Sequence, residues 1–310
     1  MSLIWTKDDL RKRPTLGFQI LLLSLTALSL APACSTKSPV APGPKGHLFI
    51  VGGGDRDEPL MRRYVELAKG FGTGRVVIFT MASSVPLEVG PELVAEFRKY
   101  GVQDVVYYHL TRDEAMKADS AKILDGVSAI WFAGGDQARL TAALLDTPVH
   151  ARMLELYAEG CLLGGTSAGA AVMSEVMITG DEKRTTDEDL NWQTVEADNV
   201  VHVRGFGFIK NAIIDQHFLI RRRQNRLISL VLENPALLGA GIDEATAILV
   251  RPDGKWEILG ESQVFVVDAR EAVVSRISSN KLGGHGVALH LLLPGDVFDP
   301  VKGRAEGPAE

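Results

Sequence analysis

The sequence predicts an α/β protein built around a parallel sheet, and two observations predict it. From about His47 onward, short apolar runs alternate with longer amphipathic segments, the order that builds βαβ units. Three of the apolar runs end in turns of glycine and small residues, at Gly52-Gly53-Gly54, Gly134-Gly135 and Gly164-Gly165-Thr166. Ligands of open α/β sheets bind at the carboxyl ends of the strands, so the three turns are expected along one edge.

The elements follow in order. His47 to Val51 is an apolar strand closed by the first glycine run. Pro59 to Lys69 places Leu60, Tyr64, Leu67 and Ala68 on one helical face. Arg75 to Met81 and Val105 to Leu110 read as strands, with a helix from Pro91 to Tyr100 between them. Asp113 to Asp125 is helical in composition, and Ala129 to Ala133 is a fourth strand. Helices are expected over Ala138 to Leu145 and Pro148 to Glu159, then a strand through Cys161-Leu162-Leu163 and a helix over 168–175. Residues 180–200 are polar and irregular and read as a long surface loop. Ala212 to Asp215 is another strand, and a helix from Arg221 to Glu233 begins with a dense set of arginines. A hairpin around Pro252-Asp253-Gly254-Lys255 and a strand over 287–293 make the C-terminal part β-rich.

Composition is that of an ordinary globular chain: 310 residues, 46% hydrophobic, 23% charged, formal net charge −6. No basic cluster is interleaved with aromatics, which argues against a nucleic-acid partner. The two cysteines, Cys34 and Cys161, form neither a disulfide framework nor a metal-ligand set, and no motif calls for a metal or an organic cofactor. Residues 1–33 carry Lys7, Arg11, Lys12 and Arg13, an apolar run from Leu16 to Leu30, then Ala31-Pro32-Ala33. A basic start, a short apolar core and small residues before a cleavage point describe a secretory signal. Cys34 after Ala33 has the place of a lipidated cysteine, which would give a membrane attachment through lipid alone. The expected organisation is a signal peptide (1–33), a linker (34–46), one catalytic domain (47–300) and a disordered tail (301–310).

The candidate chemistry centres on Ser167. Gly165-Thr166-Ser167-Ala168-Gly169 satisfies the G-x-S-x-G pattern, in which a serine sits on a sharp turn between strand and helix. A serine needs a base to take its proton. Of seven histidines, His217 in Asp215-Gln216-His217-Phe218 stands just past the end of an apolar strand, where such a sheet places its site. An oxyanion hole needs two backbone N–H donors, which Ala168 and Gly135 are placed to supply. The acid that orients the imidazole is open among Asp181, Glu182, Asp187, Glu188, Asp189, Glu196 and Asp198. Arg221, Arg222, Arg223 and Arg226 suggest an anionic substrate, since guanidinium groups pair bidentately with carboxylates.

Gly134-Gly135-Asp136-Gln137, Gly165-Thr166-Ser167-Ala168-Gly169-Ala170 and Asp215-Gln216-His217-Phe218 with its arginines together resemble the cyanophycinase family of serine peptidases. Gly205-Phe206-Gly207-Phe208 and Gly241-Ile242-Asp243-Glu244 extend the likeness across about 47–300. The resemblance implies a three-layer sandwich of the class I glutamine amidotransferase type and a homodimer. It implies hydrolysis of cyanophycin, a polyaspartate with arginine on each β-carboxyl, to β-aspartyl-arginine dipeptides. It implies Ser167 as nucleophile and His217 as base, with substrate contacts at Gln137, Asp215, Gln216, Arg221, Arg223 and Arg226. For the acid, Glu182 is expected first, then Glu188 and Glu196. The signal segment resembles that of an extracellular branch. Two other readings stay open: an esterase of the α/β-hydrolase type, whose base would be His285 or His290, and a lipoprotein binding module without chemistry.

Overall fold

The computed structural model describes residues 43–184 and 192–307. The signal segment, Cys34, Asp187, Glu188 and Asp189 lie outside the described residues.

The centre is a nine-stranded sheet. Its parallel half holds β1 (Leu48–Val51), β2 (Arg75–Phe79), β3 (Val105–Tyr108), β4 (Val127–Phe132) and β5 (Leu162–Thr166), in the order β1-β5-β4-β2-β3. The chain steps outward through β2 and β3, returns through β4, and inserts β5 between β1 and β4. Val51 pairs with Thr166 and Phe132 with Gly165, so the three strands end at one level. The three small-residue turns therefore stand side by side, as the sequence predicts.

Helices cover this sheet. On one face α1 (Glu58–Ala68) starts at Asp57, whose side chain accepts from Leu60 N at 2.9 Å. It is followed by α2 (Pro86–Lys99), and both pack Leu60, Tyr64, Leu93 and Phe97 on Phe49 and Val51. The sequence reading started α2 at Pro91. The helix begins at Pro86, another proline that suits a first turn, and carries Pro91 inside it. The expected helix over 113–125 is instead α3 (Arg112–Ala115) and a 3₁₀ turn over Ser120–Leu124. On the other face lie α4 (Gln137–Leu144), α5 (Pro148–Glu159) and α6 (Ala168–Ala171), packed with Leu48 and Ile50.

Beyond α6, β6 (Val176–Glu182) and β7 (Val200–Arg204) pair antiparallel, so both ends of the expected 180–200 loop belong to a ribbon. Next, β8 (Ala212–Gln216) leads through α7 (Gln224–Glu233) to β9 (Leu238–Ile242), a parallel pair. β10 (Thr246–Val250) returns to the central sheet antiparallel to β1, and β11 (Trp256–Gly260) pairs antiparallel with β10. β12 (Val264–Asp268) pairs with β9, and β13 (Val273–Arg276) with β14 (Leu282–His285). β15 (Ala288–Leu292) completes a second sheet, ordered β15-β12-β9-β8. β16 (Val297–Asp299) and β17 (Arg304–Glu306) extend the central sheet, so residues 304–306 are a paired strand where a disordered tail was expected.

The strand before His217 belongs to this second sheet and not to the central one. Ile214, Ala240 and Val264 turn toward the core beneath the central sheet, while Ile213 and Val267 face Leu227, Leu230 and Val231 of α7. The fold is the expected α/β sandwich with a β-rich C-terminal part, enlarged by this second sheet and its helix.

Candidate active site

Ser167 links β5 to α6 with φ 55° and ψ −112°, a region non-glycine residues rarely occupy. Such a conformation costs on the order of 1–3 kcal/mol and persists where its surroundings impose it. Here they do. Ser167 N donates to Val51 O at 3.0 Å, and Ala170 N and Ala171 N donate back to Ser167 O at 2.9 and 3.0 Å. The flanking glycines are required by contact: a methyl on Gly165 would stand 2.5 Å from Gly169 O, and one on Gly169 2.2 Å from Phe132 O. Residues 161–166 and 168–174 are buried, and Ser167 between them is half-exposed.

His217 follows β8 directly, with φ 48° and its N–H donating to Gly52 O at 2.7 Å. That bond ties the end of the second sheet to the end of β1. His217 Nε2 lies 2.9 Å from Ser167 Oγ, and Nδ1 lies 2.5 Å from Glu244 Oε1. A carboxylate at Nδ1 fixes the tautomer with the proton on Nδ1, which leaves the Nε2 lone pair facing the hydroxyl. Burial lowers the His217 pKa below its ordinary value; the Glu244 hydrogen bond pulls it up, and the Arg221 charge adds to the lowering. The net lowering favours the neutral ring.

Glu244 stands in the position expected for Glu182. It lies two residues past β9, and β9 runs parallel beside β8 with Gln216 opposite Ile242. Parallel neighbours bring their carboxyl ends together, so His217 and Glu244 meet across 27 residues of sequence. The turn is pinned by Ala245 N donating to Gly53 O at 2.9 Å. Asp243 accepts from Leu219 N and Ile220 N at 3.0 and 3.1 Å, which holds the chain after His217. The signal available in the sequence was the strand–helix–strand unit 212–242, whose second strand ends in Asp243-Glu244. Glu182 instead accepts from Trp192 N and Asn199 Nδ2 on the ribbon. Glu196 accepts from Asn199 Nδ2 and pairs with Arg184.

The substrate-contact set divides. Gln137 is buried and donates its Nε2 to Ile178 O and Thr179 O at 2.8 and 2.7 Å, so its amide positions β6. Asp215 and Arg226 are also buried, joined by a two-point ion pair in which Nε reaches Oδ2 at 2.7 Å and Nη2 reaches Oδ1. The Arg226 guanidinium also lies over the Trp192 ring, 5.1 Å from its centroid. These three residues hold the site rather than face a ligand. Gln216 Oε1 lies 3.4 Å from Ser167 Oγ, at the reacting hydroxyl itself. Arg223 Nη1 donates to Gln216 O at 2.6 Å and is partly open. Arg221 is exposed, in a turn with Arg222, whose φ is 53°. The helix begins only at Gln224, so Arg221, Arg222 and Arg223 precede it instead of forming its first turn as expected.

Gly53, Gly54, Ala133, Gly134, Thr166 and Ser167, one stretch from each of the three turns, line a single cleft of about 350 Å³. Gly135 has φ 136° and packs over Ala82 O, where a methyl would come within 2.1 Å. Cys161 is buried, its thiol pushed up to about 12 by desolvation. Among the described residues no group of His, Cys, Asp and Glu is arranged to hold a metal ion. His285 ends β14 and His290 packs on Phe298; among the described residues the imidazole on the Ser167 hydroxyl is that of His217.

A hydroxyl at a strained strand–helix turn, an imidazole on it and a carboxylate behind have the form of a serine hydrolase site on an α/β sheet. Comparison with known proteins narrows the class. Residues 48–258 match the model of peptidase family S51, and the chain belongs to this family of serine-type peptidases. It is 33% identical to the cyanophycinase of Nostoc sp. strain PCC 7120 over 263 residues, covering 82% of this chain and 85% of that protein. It is 31% identical to the cyanophycinase of Geminocystis herdmanii over 264 residues, covering 82% and 94%. The crystal structure of a peptidase from an acI-B1 actinobacterium shares the fold, with a TM-score of 0.61 at 20% identity, covering 83% of this chain and 98% of that one.

Proposed function

We propose that this chain is an exported serine peptidase that hydrolyses cyanophycin to β-aspartyl-arginine dipeptides. The observation that carries the reading is the series Ser167 Oγ, His217 Nε2 and Nδ1, and Glu244 Oε1, spaced 2.9 and 2.5 Å. The similarity to two cyanophycinases supplies the substrate class.

In this reading Ser167 Oγ attacks the carbonyl carbon of a backbone aspartyl bond while its proton passes to His217 Nε2. The N–H groups of Ala168 and Gly135 stabilise the oxyanion. His217 then gives the proton to the leaving amine, and an acyl-serine remains. Water attacks that ester, His217 takes the water's proton and returns it to Ser167 Oγ. Glu244 keeps the imidazole in the required tautomer and stabilises the imidazolium. Arg221 and Arg223 lie beside the base and offer cations to the carboxylates of the polymer.

Export rests on the basic–apolar–small order of residues 1–33, and a lipid on Cys34 would tether the enzyme to a membrane. The decisive experiment incubates the purified protein with insoluble cyanophycin and identifies the soluble products by mass. β-Aspartyl-arginine from the wild type and none from Ser167→Ala is the expected result. Intact polymer after incubation with the wild type would overturn the substrate assignment.

A further inference from the structure

The geometry points to Glu92 as the carboxylate that receives a cationic group of the substrate, in the cleft on the α2 side of Ser167. This deepens the proposed function and rests on it. The cleft that opens at Ser167 is walled on its far side by Val89, Glu92, Leu93 and Glu96 of α2 and by Arg56. None of residues 215–226 lines it, so it is separate from the arginine-bearing side of the site.

The wall holds one cation and two carboxylates. Arg56 and Glu96 are committed to each other, with Nη2 to Oε2 at 2.7 Å and Nε to Oε1 at 3.3 Å. Both are mostly covered, and the Arg56 guanidinium lies 6.0 Å from the centroid of the Trp131 ring. Glu92, one helical turn before Glu96, is exposed and has no hydrogen-bond or ion-pair partner among the described residues. The pair cancels, and one negative charge remains on the wall of the cleft that Ser167 lines.

Val89 and Leu93 flank that charge on the same helix. An apolar surface with a carboxylate at its rim suits a long aliphatic stem that ends in a cation. A guanidinium fits best, because its planar fork meets a carboxylate at two points. Glu92 and Glu96 disfavour a substrate carboxylate at the same place, and the cation there, Arg56, is already paired with Glu96. The two sides of Ser167 thus have opposite preferences: cationic residues by His217 recognise anions, and Glu92 recognises a cation.

The test compares two synthetic peptides, one with arginine on the β-carboxyls and one with citrulline, the neutral isostere. The ratio of their kcat/KM values is measured in wild type and in Glu92→Gln. Glu92→Gln is expected to reduce the preference for arginine by up to about fivefold, the upper end for an exposed ion pair. Glu92→Lys is expected to reduce it further, with the loss shrinking as salt is added. An unchanged ratio in both variants would overturn the assignment of Glu92 while leaving the peptidase reading intact. A wild type that cuts neither peptide would overturn the substrate reading. Glu92 is then judged by binding of the same peptides to Ser167→Ala, where equal affinity for the two would overturn it.

Discussion

His217 and Glu244 meet because they follow adjacent parallel strands: Nδ1 of one lies 2.5 Å from Oε1 of the other. An amide in place of this carboxylate keeps the shape but favours the wrong tautomer and leaves the imidazolium unsupported. Glu244→Gln is therefore expected to lower kcat by about 10⁴-fold near neutral pH. Glu182→Gln, on a side chain bonded to the ribbon, is expected to keep kcat within about twofold, as for a change remote from the reacting atoms. Steady-state kinetics on a β-aspartyl-arginine peptide checks both. Equal losses in the two variants would remove Glu244 from the role assigned to it.

Gly53 has a second job at this site. Its φ is 113°, and a built Cβ would lie 2.3 Å from His217 Cε1 and 2.5 Å from Nε2. Gly53→Ala must push the imidazole off the hydroxyl. A displacement of about 1 Å at a reacting group costs about 10²-fold in rate. Gly74 is the control: its φ is 86°, yet nothing lies within 4 Å of a built Cβ. Gly74→Ala is expected to lower stability by about 1 kcal/mol from backbone strain alone, with kcat unchanged. Paired kcat and thermal-melt measurements separate the two effects.

The placing of His217 beside Ser167 was legible because both signals are local. Gly165 and Gly169 are demanded by contacts within one turn, and the turn follows its strand directly. His217 is the next residue after an apolar strand, so its place at a sheet edge needed no pairing information. Glu244 was hidden because its place depends on β9 lying beside β8, a contact between distant segments. The acidic stretch near residue 182 drew attention by composition, although it folds into a ribbon whose carboxylates serve its own backbone and cations. Gln137, Asp215 and Arg226 were expected to contact substrate, and each is instead bonded within the protein. Polar residue type alone does not tell a side chain that faces a ligand from one whose bonds are already met inside the protein. The second sheet was missed for a related reason: a short apolar strand carries no mark of which sheet it joins.

Arg221 offers a test of the electrostatics. Its charge lowers the His217 pKa, adding to the larger lowering by burial. Removing a cation makes the imidazolium easier to form, so Arg221→Gln raises that pKa. The acid limb of kcat/KM, which reports the free enzyme's base, is expected to move to higher pH in the variant. The wild-type limb is expected below the ordinary histidine value of 6.5. Glu244→Gln removes a bond that raises the pKa and is expected to move the limb in the opposite direction. A limb that stays fixed in Arg221→Gln would show that His217 is not the titrating base.

Asp215 and Arg226 make a different prediction, because their pair is sealed beneath the site. Asp215 is 1% exposed and Arg226 2%, and Asp215 Oδ1 also accepts from Gln216 N at 2.8 Å. Arg226→Ala takes the two-point partner from a buried carboxylate, leaving Arg223 at 3.9 Å as its remaining cation, and removes the cation over Trp192. Breaking such a pair from one side costs about 3–5 kcal/mol. Arg226→Ala is therefore expected to fail first in stability, with a lowered denaturation midpoint, rather than through a raised KM. Replacing both partners by apolar residues of similar size, Asp215→Leu with Arg226→Met, removes both charges and is expected to recover much of that loss. Arg223→Gln serves as the contrast: its side chain is partly open and reaches the carbonyl of Gln216. Its loss is expected to raise KM with a smaller change in the midpoint. Urea titrations of the three proteins, read beside KM for a β-aspartyl-arginine peptide, check the assignment. A stable Arg226→Ala protein with a raised KM would return Arg226 to direct contact with the substrate.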